Sequence, residues 1–523
     1  MLVVGGLAVI GLASFSLPVL VSAWWLFLTL PLLALAVTAV HDVSQRHHSI
    51  LRNYPVLGHL RFLMEELRPE LQQYFIERNY DGRPYDRDVR TLVYERAKGD
   101  GDEAAFGTER DVYALGYESF VHSMAPVPQE SEPPKVRVGG PDCTKPYDMA
   151  LLNVSAMSFG SLSTNAILAL NKGAALGGFA HDTGEGGLSD HHLRYGGDLI
   201  WEIGTGYFGC RTPDGGFDEA KFAEKAATDS VKCVSLKLSQ GAKPGIGGVL
   251  PGDKVNAEIA RVREVTRGET VISPPYHRTF STPRELVAFV ARMRELAGGK
   301  PTGFKLCVGS RRQFLAVCKA MLAEGVTPDF IIVDGAEGGT GAAPLEFTDH
   351  IGLPLTEGLL TVHNALVGSG LRDRIRIGAS GKVATGADMV KRMAAGADYT
   401  NAARAMMFAV GCIQAQRCHT NTCPTGVATQ DPRRTRALHV GDKAERVHNY
   451  QRSTVESCLR IMASLGAHRP EELGPHLLSR RTDPFTVRTY AEFYEWLEPG
   501  QLVEQAPQSW EQDWAKADPD QFG

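Results

Sequence analysis

The sequence lacks internal repeats of about 20–50 residues and low-complexity tracts, which argues against a solenoid or a largely disordered chain. It also lacks a strong charge bias, because 55 Lys and Arg residues stand against 60 Asp and Glu residues for a net charge of −5. We therefore expect no nucleic-acid partner. At 523 residues, the chain is long enough for one large domain with attachments or for two or three smaller domains.

The nine cysteines lack the pattern of a disulfide framework. Three of them fall within 12 residues, and six are scattered, several in apolar runs where Cys acts as a small hydrophobic residue. An odd number with one tight cluster indicates a reducing compartment and a metal or iron–sulfur site rather than secretion.

The N-terminal stretch lacks charge, since residues 2–40 contain no Asp, Glu, Lys or Arg. One membrane span needs about 20 apolar residues, and Pro18, Trp24 and Trp25 interrupt the stretch near its middle. We expect a transmembrane hairpin within residues 1–40, with helices at about 2–21 and 24–40. A buried hairpin remains the alternative, and the basic start and shorter apolar core of a signal peptide are missing. Arg46 and Arg52 follow, which predicts that the catalytic domain faces the cytoplasm.

Eight short apolar runs lie between about residues 150 and 403, with helix-like stretches at 164–176, 283–296, 313–323 and 387–395. The runs span residues 150–155, 178–181, 199–203, 232–238, 303–308, 330–334, 374–378 and 399–403. Continuous apolar runs are typical of strands buried on both faces. Alternating strands and helices predict a parallel α/β sheet, and eight units predict a closed (β/α)8 TIM barrel over residues 149–430. An open doubly wound sheet is the alternative.

The segments on either side of the barrel look helical and polar. We expect residues 41–148 to form a helical collar or linker with proline-rich breaks. We expect residues 431–523 to form a C-terminal helical extension that packs on the barrel's outer face.

Glycine-rich loops follow the later predicted strands, where barrel enzymes carry their chemistry. Residues 338–341 (GGTG), residues 381–386 (GKVATG) and Arg404 suit a phosphate cradle, because glycine lets backbone N–H groups approach an anion closely. One such loop is usually only a turn, but three at adjacent strand ends indicate a phosphate site.

Cys412, Cys418 and Cys423 form the second motif, closed by Pro424. Three thiolates in a compact loop can hold an iron–sulfur cluster. A structural zinc ion needs a fourth ligand, so a Cys3His site that includes His419 is the alternative. A flavin in the barrel would favour the cluster, because a flavin needs an electron supply.

Several motifs, in order and over about 280 residues, resemble the FMN-binding domain of glutamate synthase. They are SAMSFG (155–160), DTGEGG (182–187), QGAKPG (240–245), LPG (250–252), ISPP (272–275), GGTGA (338–342) and CHTNTCPTGVA (418–428). The resemblance implies bound FMN, a [3Fe–4S] cluster on Cys412, Cys418 and Cys423, and 2-oxoglutarate over the flavin.

The resemblance also implies a set of site residues. The substrate-site residues would be Glu185, Lys237, Gln240, Lys243 and Arg263. Lys and Arg suit a dicarboxylate, and Glu185 would bind or deprotonate an ammonium or imine nitrogen. Lys305 would stabilise negative charge on the reduced flavin. The cofactor-binding residues would be Ser155, Ala156, Met157, Ser158, Lys305, Gly338, Gly339, Thr340, Gly341, Ser380, Gly381, Lys382, Gly386 and Arg404.

The sequence departs from this family at some points. Ile246 stands where the KPGEGG motif usually has Glu, and His181 stands where Asn is more common. We find no amidotransferase domain and no second GxGxxG region for NADPH, so we expect an external electron donor, a ferredoxin or a reductase subunit. The resulting hypothesis is a membrane-bound FMN and iron–sulfur oxidoreductase that converts 2-oxoglutarate to glutamate. The alternatives are a related flavoenzyme, such as an N-methylglutamate synthase, and a membrane electron-transfer subunit.

Overall fold

The structure, a computed structural model, describes residues 23–523 together with Gly6 and Val9. The chain divides into two units, Met1–Arg87 and Asp88–Gly523. Within residues 23–87, the first unit has a 3-10 turn, three helices and a π-helical turn, in the order Ala23–Trp25, Leu26–Ser44, Ser49–Asn53, Gly58–Leu71 and Gln72–Ile76.

Helix Leu26–Ser44 is long and apolar enough to cross a membrane, and most of its surface is exposed. It corresponds to the helix expected at about residues 24–40 and continues four residues further. Its end is fixed by Asp42, whose carboxylate accepts hydrogen bonds from the Val56 N–H at 2.8 Å and from His59 Nε2 at 2.9 Å. A signal sequence and the buried helix of a soluble protein meet the same criteria of length and composition as a membrane span. The helix expected at about residues 2–21 lies outside the described residues, apart from Gly6 and Val9.

The second unit contains the predicted (β/α)8 barrel, which the structure confirms. All eight expected strands form, and we label them in chain order: β1 Leu152–Val154, β2 His181–Asp182, β3 Leu199–Ile203, β4 Val231–Lys237, β5 Thr302–Leu306, β6 Phe330–Asp334, β7 Arg376–Ser380 and β8 Tyr399–Ala402. Each strand pairs in parallel with the next, and β8 closes the barrel by pairing with β1. The sheet is therefore closed and not the open alternative.

Helices follow the strands and cover the barrel, as the alternating pattern predicted. They are Thr164–Gly177, Asp190–Leu193, Glu219–Ala226, Ala257–Arg263, Pro283–Leu296, Arg311–Glu324, Leu345–His350, Leu355–Gly368, Gly386–Ala394 and Arg404–Val410. Side-chain caps start several of them. Thr282 and Glu285 form a reciprocal capping box at Pro283–Leu296, which satisfies otherwise unpaired N–H groups.

The flanking segments contain strands as well as the expected helices. Helices Arg87–Lys98, Pro432–Thr435, Val440–Ser464, Tyr490–Phe493, Gln501–Gln505 and Gln508–Lys516 accompany a sheet of Glu118–Phe120, Leu478–Arg481 and Val487–Thr489. Two further strand pairs are Val136–Val138 with Tyr147–Met149 and Val249–Leu250 with Val271–Ile272. Strand Glu118–Phe120 pairs with Leu478–Arg481 over a long sequence distance, which local pattern does not reveal. Trp510 is buried in the core shared with the barrel helices, so the C-terminal extension packs on the barrel.

Candidate active site

Polar and charged side chains gather at the carboxyl ends of the barrel strands. Glu185 follows β2, and Lys237 is the last residue of β4. Gln240 and Lys243 lie in the loop after β4, and Arg263 ends helix Ala257–Arg263. Because the strands are parallel, all these positions lie at one end of the barrel.

Lys237 is the centre of this group. Its Nζ lies 2.9 Å from Glu185 Oε2 and donates a short hydrogen bond to Gln240 Oε1. Lys243 and Arg263 are held by backbone carbonyls instead. Lys243 Nζ donates to the Ala342 carbonyl at 3.0 Å, and Arg263 Nη2 donates to the Phe159 carbonyl at 2.9 Å.

The site holds more positive than negative charge. Burial alone would raise the pKa of Glu185, but the charges of Lys237, Lys243 and Arg263 outweigh it and lower that pKa to about 2. Burial lowers the pKa of Lys243 to about 8, and Lys237 and Arg263 add to the effect. Three buried cations therefore face one ionised carboxylate, an arrangement that suits a ligand with two negative charges.

Two glycines make room for the Glu185 side chain. A Cβ atom on Gly248 would lie 2.2 Å from Glu185 Oε1, and one on Gly204 would lie 2.8 Å from Glu185 Cβ. Any larger residue at either position would displace the carboxylate from Lys237. Gly248 of the KPGEGG-like motif and Gly204 after β3 thus make room for the Glu185 carboxylate.

His277 contacts the backbone of Lys237, a role that the sequence interpretation missed. Burial lowers the pKa of His277 to about 4, so the ring is neutral. Its Nε2 lies 2.8 Å from the Lys237 carbonyl and donates to it, which leaves Nδ1 to accept from the Tyr207 hydroxyl at 3.1 Å. Its position two residues after the ISPP motif was the available signal.

The loops expected to hold the flavin also meet at this end. Ser155 Oγ, just after β1, lies 3.1 Å from Ser380 Oγ at the end of β7. Arg404 donates a hydrogen bond to the Glu337 carbonyl, and its side chain lies 2.8 Å from where a Cβ on Gly339 would stand. A backbone without side chains beside an arginine is a suitable phosphate cradle.

Most of the remaining predicted cofactor residues lie in the loops after β1, β6 and β7, and Gly386 packs against a helix. Ala156, Met157 and Ser158 continue the loop after β1, Gly338, Thr340 and Gly341 continue the loop after β6, and Gly381 and Lys382 follow β7. Gly386 has another neighbour, because a Cβ there would lie 2.5 Å from the Cys458 backbone nitrogen. Its missing side chain makes room for helix Val440–Ser464.

Lys305 is buried inside the barrel and forms an ion pair with Glu202 of β3. Burial alone would lower the pKa of Lys305, but the carboxylates of Glu202, Asp182 and Asp334 outweigh it and raise the pKa. Burial and Glu202 raise the pKa of Asp182 to about 8. The sequence interpretation missed these three carboxylates, although acidic residues within apolar strands were a visible signal.

The cysteine motif forms a surface loop after helix Arg404–Val410. Burial raises the pKa of Cys412 to about 12, and the charges of Cys418 and Cys423 act in the same direction. Hydrogen bonds from Thr425 and backbone N–H groups outweigh burial and lower the pKa of Cys423. Within residues 23–523 no three His, Cys, Asp or Glu side chains are grouped tightly enough for a single metal ion.

Fold and site define a (β/α)8 barrel with a cationic group of side chains and glycine-rich loops at the carboxyl ends of its strands. A family model for a conserved region in glutamate synthase matches residues 142–468. The chain is 38% identical over 498 residues to the glutamate synthase large subunit-like protein YerD of Bacillus subtilis, covering 87% of this chain and 94% of that protein. It therefore belongs to the FMN-binding glutamate synthase family of oxidoreductases, which confirms the resemblance.

Other relatives match over only part of their length. The chain is 34% identical over 321 residues to the archaeal glutamate synthase [NADPH] of Methanocaldococcus jannaschii, which covers 61% of this chain and 60% of that protein. Among solved structures, a flavocytochrome b2 mutant with pyruvate bound is similar at 14% identity and a TM-score of 0.42, covering 88% of this chain and 96% of that one.

Proposed function

We propose that the chain binds FMN and a [3Fe–4S] cluster and reductively aminates 2-oxoglutarate to glutamate with electrons from an external donor. The observation that supports 2-oxoglutarate as the substrate is the group of three buried cations around Glu185 at the carboxyl end of the barrel. Two carboxylates on a five-carbon keto acid match an excess of buried positive charge better than one carboxylate does.

The FMN site would be formed by the loops after β1, β6, β7 and β8. Arg404 beside Gly339 would bind the phosphate, and Ser155 and Ser380 would offer hydroxyl groups to the cofactor. FMN, when bound, supplies the hydride for the reduction of the imine.

The protein's own residues would orient the substrate and manage charge. Lys237, Lys243 and Arg263 would bind the carboxylates and keep water from the reacting carbon. The pKa of Glu185, about 2, keeps its carboxyl ionised. A carboxylate with so low a pKa is a weak base at neutral pH. Glu185 would therefore bind the cationic nitrogen of the imine rather than deprotonate it.

The cluster would be held by Cys412, Cys418 and Cys423. A multi-iron cluster needs thiolates arranged around several iron atoms, and none of the nine cysteines is in a disulfide. The loop is at the protein surface, where an external one-electron donor such as a ferredoxin or a reductase subunit can approach.

A related substrate is the second candidate, and Ile246 favours it. This half-buried apolar side chain stands in the loop between Lys243 and Gly248, where the family motif has Glu. A change from an acidic to an apolar residue there suits a nitrogen donor that carries a methyl group.

We also propose that helix Leu26–Ser44 anchors the protein in a membrane with the catalytic barrel facing the cytoplasm. The length and exposure of the helix support this location. Full-length protein should stay in the membrane pellet after alkaline carbonate extraction, and release into the supernatant would contradict the anchor.

Titration of the flavin absorbance of the purified full chain tests the substrate. 2-Oxoglutarate and glutamate should both perturb the spectrum, whereas pyruvate, with one carboxylate, should do so much more weakly. No perturbation by either dicarboxylate would refute the substrate assignment. N-Methylglutamate binding more tightly than glutamate would favour the second candidate.

Electron paramagnetic resonance of the oxidised protein tests the cluster. Cys418→Ser should abolish the [3Fe–4S] signal and reduce bound iron and acid-labile sulfide, because one of three ligands is lost. Cys143→Ser is the matched control, since Cys143 is half-buried and lies outside the loop. A full signal in Cys418→Ser would refute the ligand assignment.

A further inference from the structure

Lys254 is a buried lysine outside the sets of substrate-site and cofactor-binding residues. It ends the 3-10 turn Gly252–Lys254 and is 2% exposed. Lysine is almost never fully buried unless it is paired, because removal of its charge from water is costly. Its partners therefore indicate its role.

Two backbone carbonyls hold the Lys254 ammonium. Its Nζ donates to the Ser161 carbonyl at 3.0 Å and to the Ala428 carbonyl at 2.9 Å. Ser161 belongs to the loop after β1, and Ala428 ends the cysteine motif. The same turn is tied to the cysteine loop a second time, because Asn421 Nδ2 donates to the Asp253 carbonyl at 3.1 Å.

The anionic neighbours of Lys254 are thiols. Burial lowers the pKa of Lys254 to about 8, and the charges of Cys418 and Cys423 oppose that shift. A buried ammonium held by neutral carbonyls and facing two thiols lacks a counter-charge unless those thiols are ionised. Ligation to iron ionises thiols and adds the charge of the cluster.

We propose that Lys254 raises the reduction potential of the iron–sulfur cluster by fixing a buried positive charge beside its thiolates. The inference rests on the cluster proposed above. The reduced cluster carries one more negative charge than the oxidised cluster, so a nearby cation stabilises the reduced form more strongly. Lys254 is thus a positioning residue for electron delivery to the flavin site and touches no substrate.

Redox titration of the full chain, followed by electron paramagnetic resonance, tests this role. Lys254→Gln should lower the midpoint potential, so that the ratio of reduced to oxidised cluster at a fixed ambient potential falls about tenfold, which is 59 mV for one electron. Lys254→Arg keeps the charge and should stay within about threefold of the wild type, since arginine remains protonated. An unchanged potential in Lys254→Gln with the cluster intact would refute the inference.

Lys300→Gln is the matched control. Lys300 Nζ also donates to two backbone carbonyls, of Ala226 at 2.6 Å and of Thr228 at 2.9 Å, but it precedes β5 at the opposite end of the barrel. Its loss should leave the potential unchanged, and a shift as large as that of Lys254→Gln would contradict a local charge effect.

Two further outcomes separate the possibilities. If Lys254→Gln loses the cluster, the midpoint potential of Lys254→Arg provides the test. A wild-type potential in that variant supports the inference, and a tenfold change in its ratio of reduced to oxidised cluster refutes it. Wild-type protein with FMN but no cluster would instead refute the proposed cofactor.

Discussion

The pKa of Lys243 leads to a prediction about how substrate binding depends on pH. Burial moves this pKa from its ordinary 10.5 to about 8. At about 1.36 kcal/mol per unit, keeping the buried group charged at neutral pH costs about 3 kcal/mol of folding free energy. Because the folded-state pKa is lowered, this cost is present below about pH 8 and disappears as the pH rises toward 10.5.

An anionic substrate should recover part of that cost by pairing with Lys243. Binding should therefore be tightest where Lys243 is protonated in the empty site. At pH 9 only about one site in eleven carries the proton, so the apparent Kd for 2-oxoglutarate should be about tenfold higher than at pH 7. Titration of the flavin absorbance with 2-oxoglutarate between pH 7 and pH 9.5 measures this change.

Lys243→Arg is the control for this prediction. Arginine keeps its charge throughout this range, and burial lowers the pKa of the neighbouring Arg263 only to about 10. The variant should therefore bind with a nearly constant Kd up to pH 9. A pH-independent Kd in the wild type, or an equal rise in the arginine variant, would refute the reasoning.

Two further substitutions test the site and the fold. Gly248→Ala should weaken 2-oxoglutarate binding at least tenfold, because its Cβ would stand 2.2 Å from Glu185 Oε1 and displace the carboxylate from Lys237; flavin titration measures the loss. Asp329→Ala should lower the unfolding free energy by about 3–5 kcal/mol in urea denaturation, because it removes the buried carboxylate at 2.8 Å from Arg294 and leaves only the exposed Asp142 at 3.5 Å.

Each of these substitutions has a matched control. Gly309→Ala adds a methyl group near the same barrel end with nothing within 4 Å, so substrate affinity should not change. Asp148→Ala breaks an exposed ion pair with Arg137, which should cost less than about 1 kcal/mol. Equal effects in a variant and its control would show that the close contact or the burial is not the cause.

Sequence periodicity was enough to predict the barrel. Strands such as Phe330–Asp334 are buried on both faces and read as continuous apolar runs, so each is visible without knowledge of its partners. The sheet of Glu118–Phe120 and Leu478–Arg481 was not predicted. Its strands are three or four residues long and pair across more than half of the chain, so neither carries a local signal.

The sequence by itself determined the family and the residue types of the site, because those are carried by ordered motifs such as DTGEGG and QGAKPG. Only the tertiary structure decided which charges face one another. It placed Lys243 and Arg263 around Glu185, paired Lys305 with Glu202 inside the barrel, and brought Lys254 to the cysteine loop. The strength of a charge interaction depends on distance and burial, and folding sets both between residues that are remote in sequence.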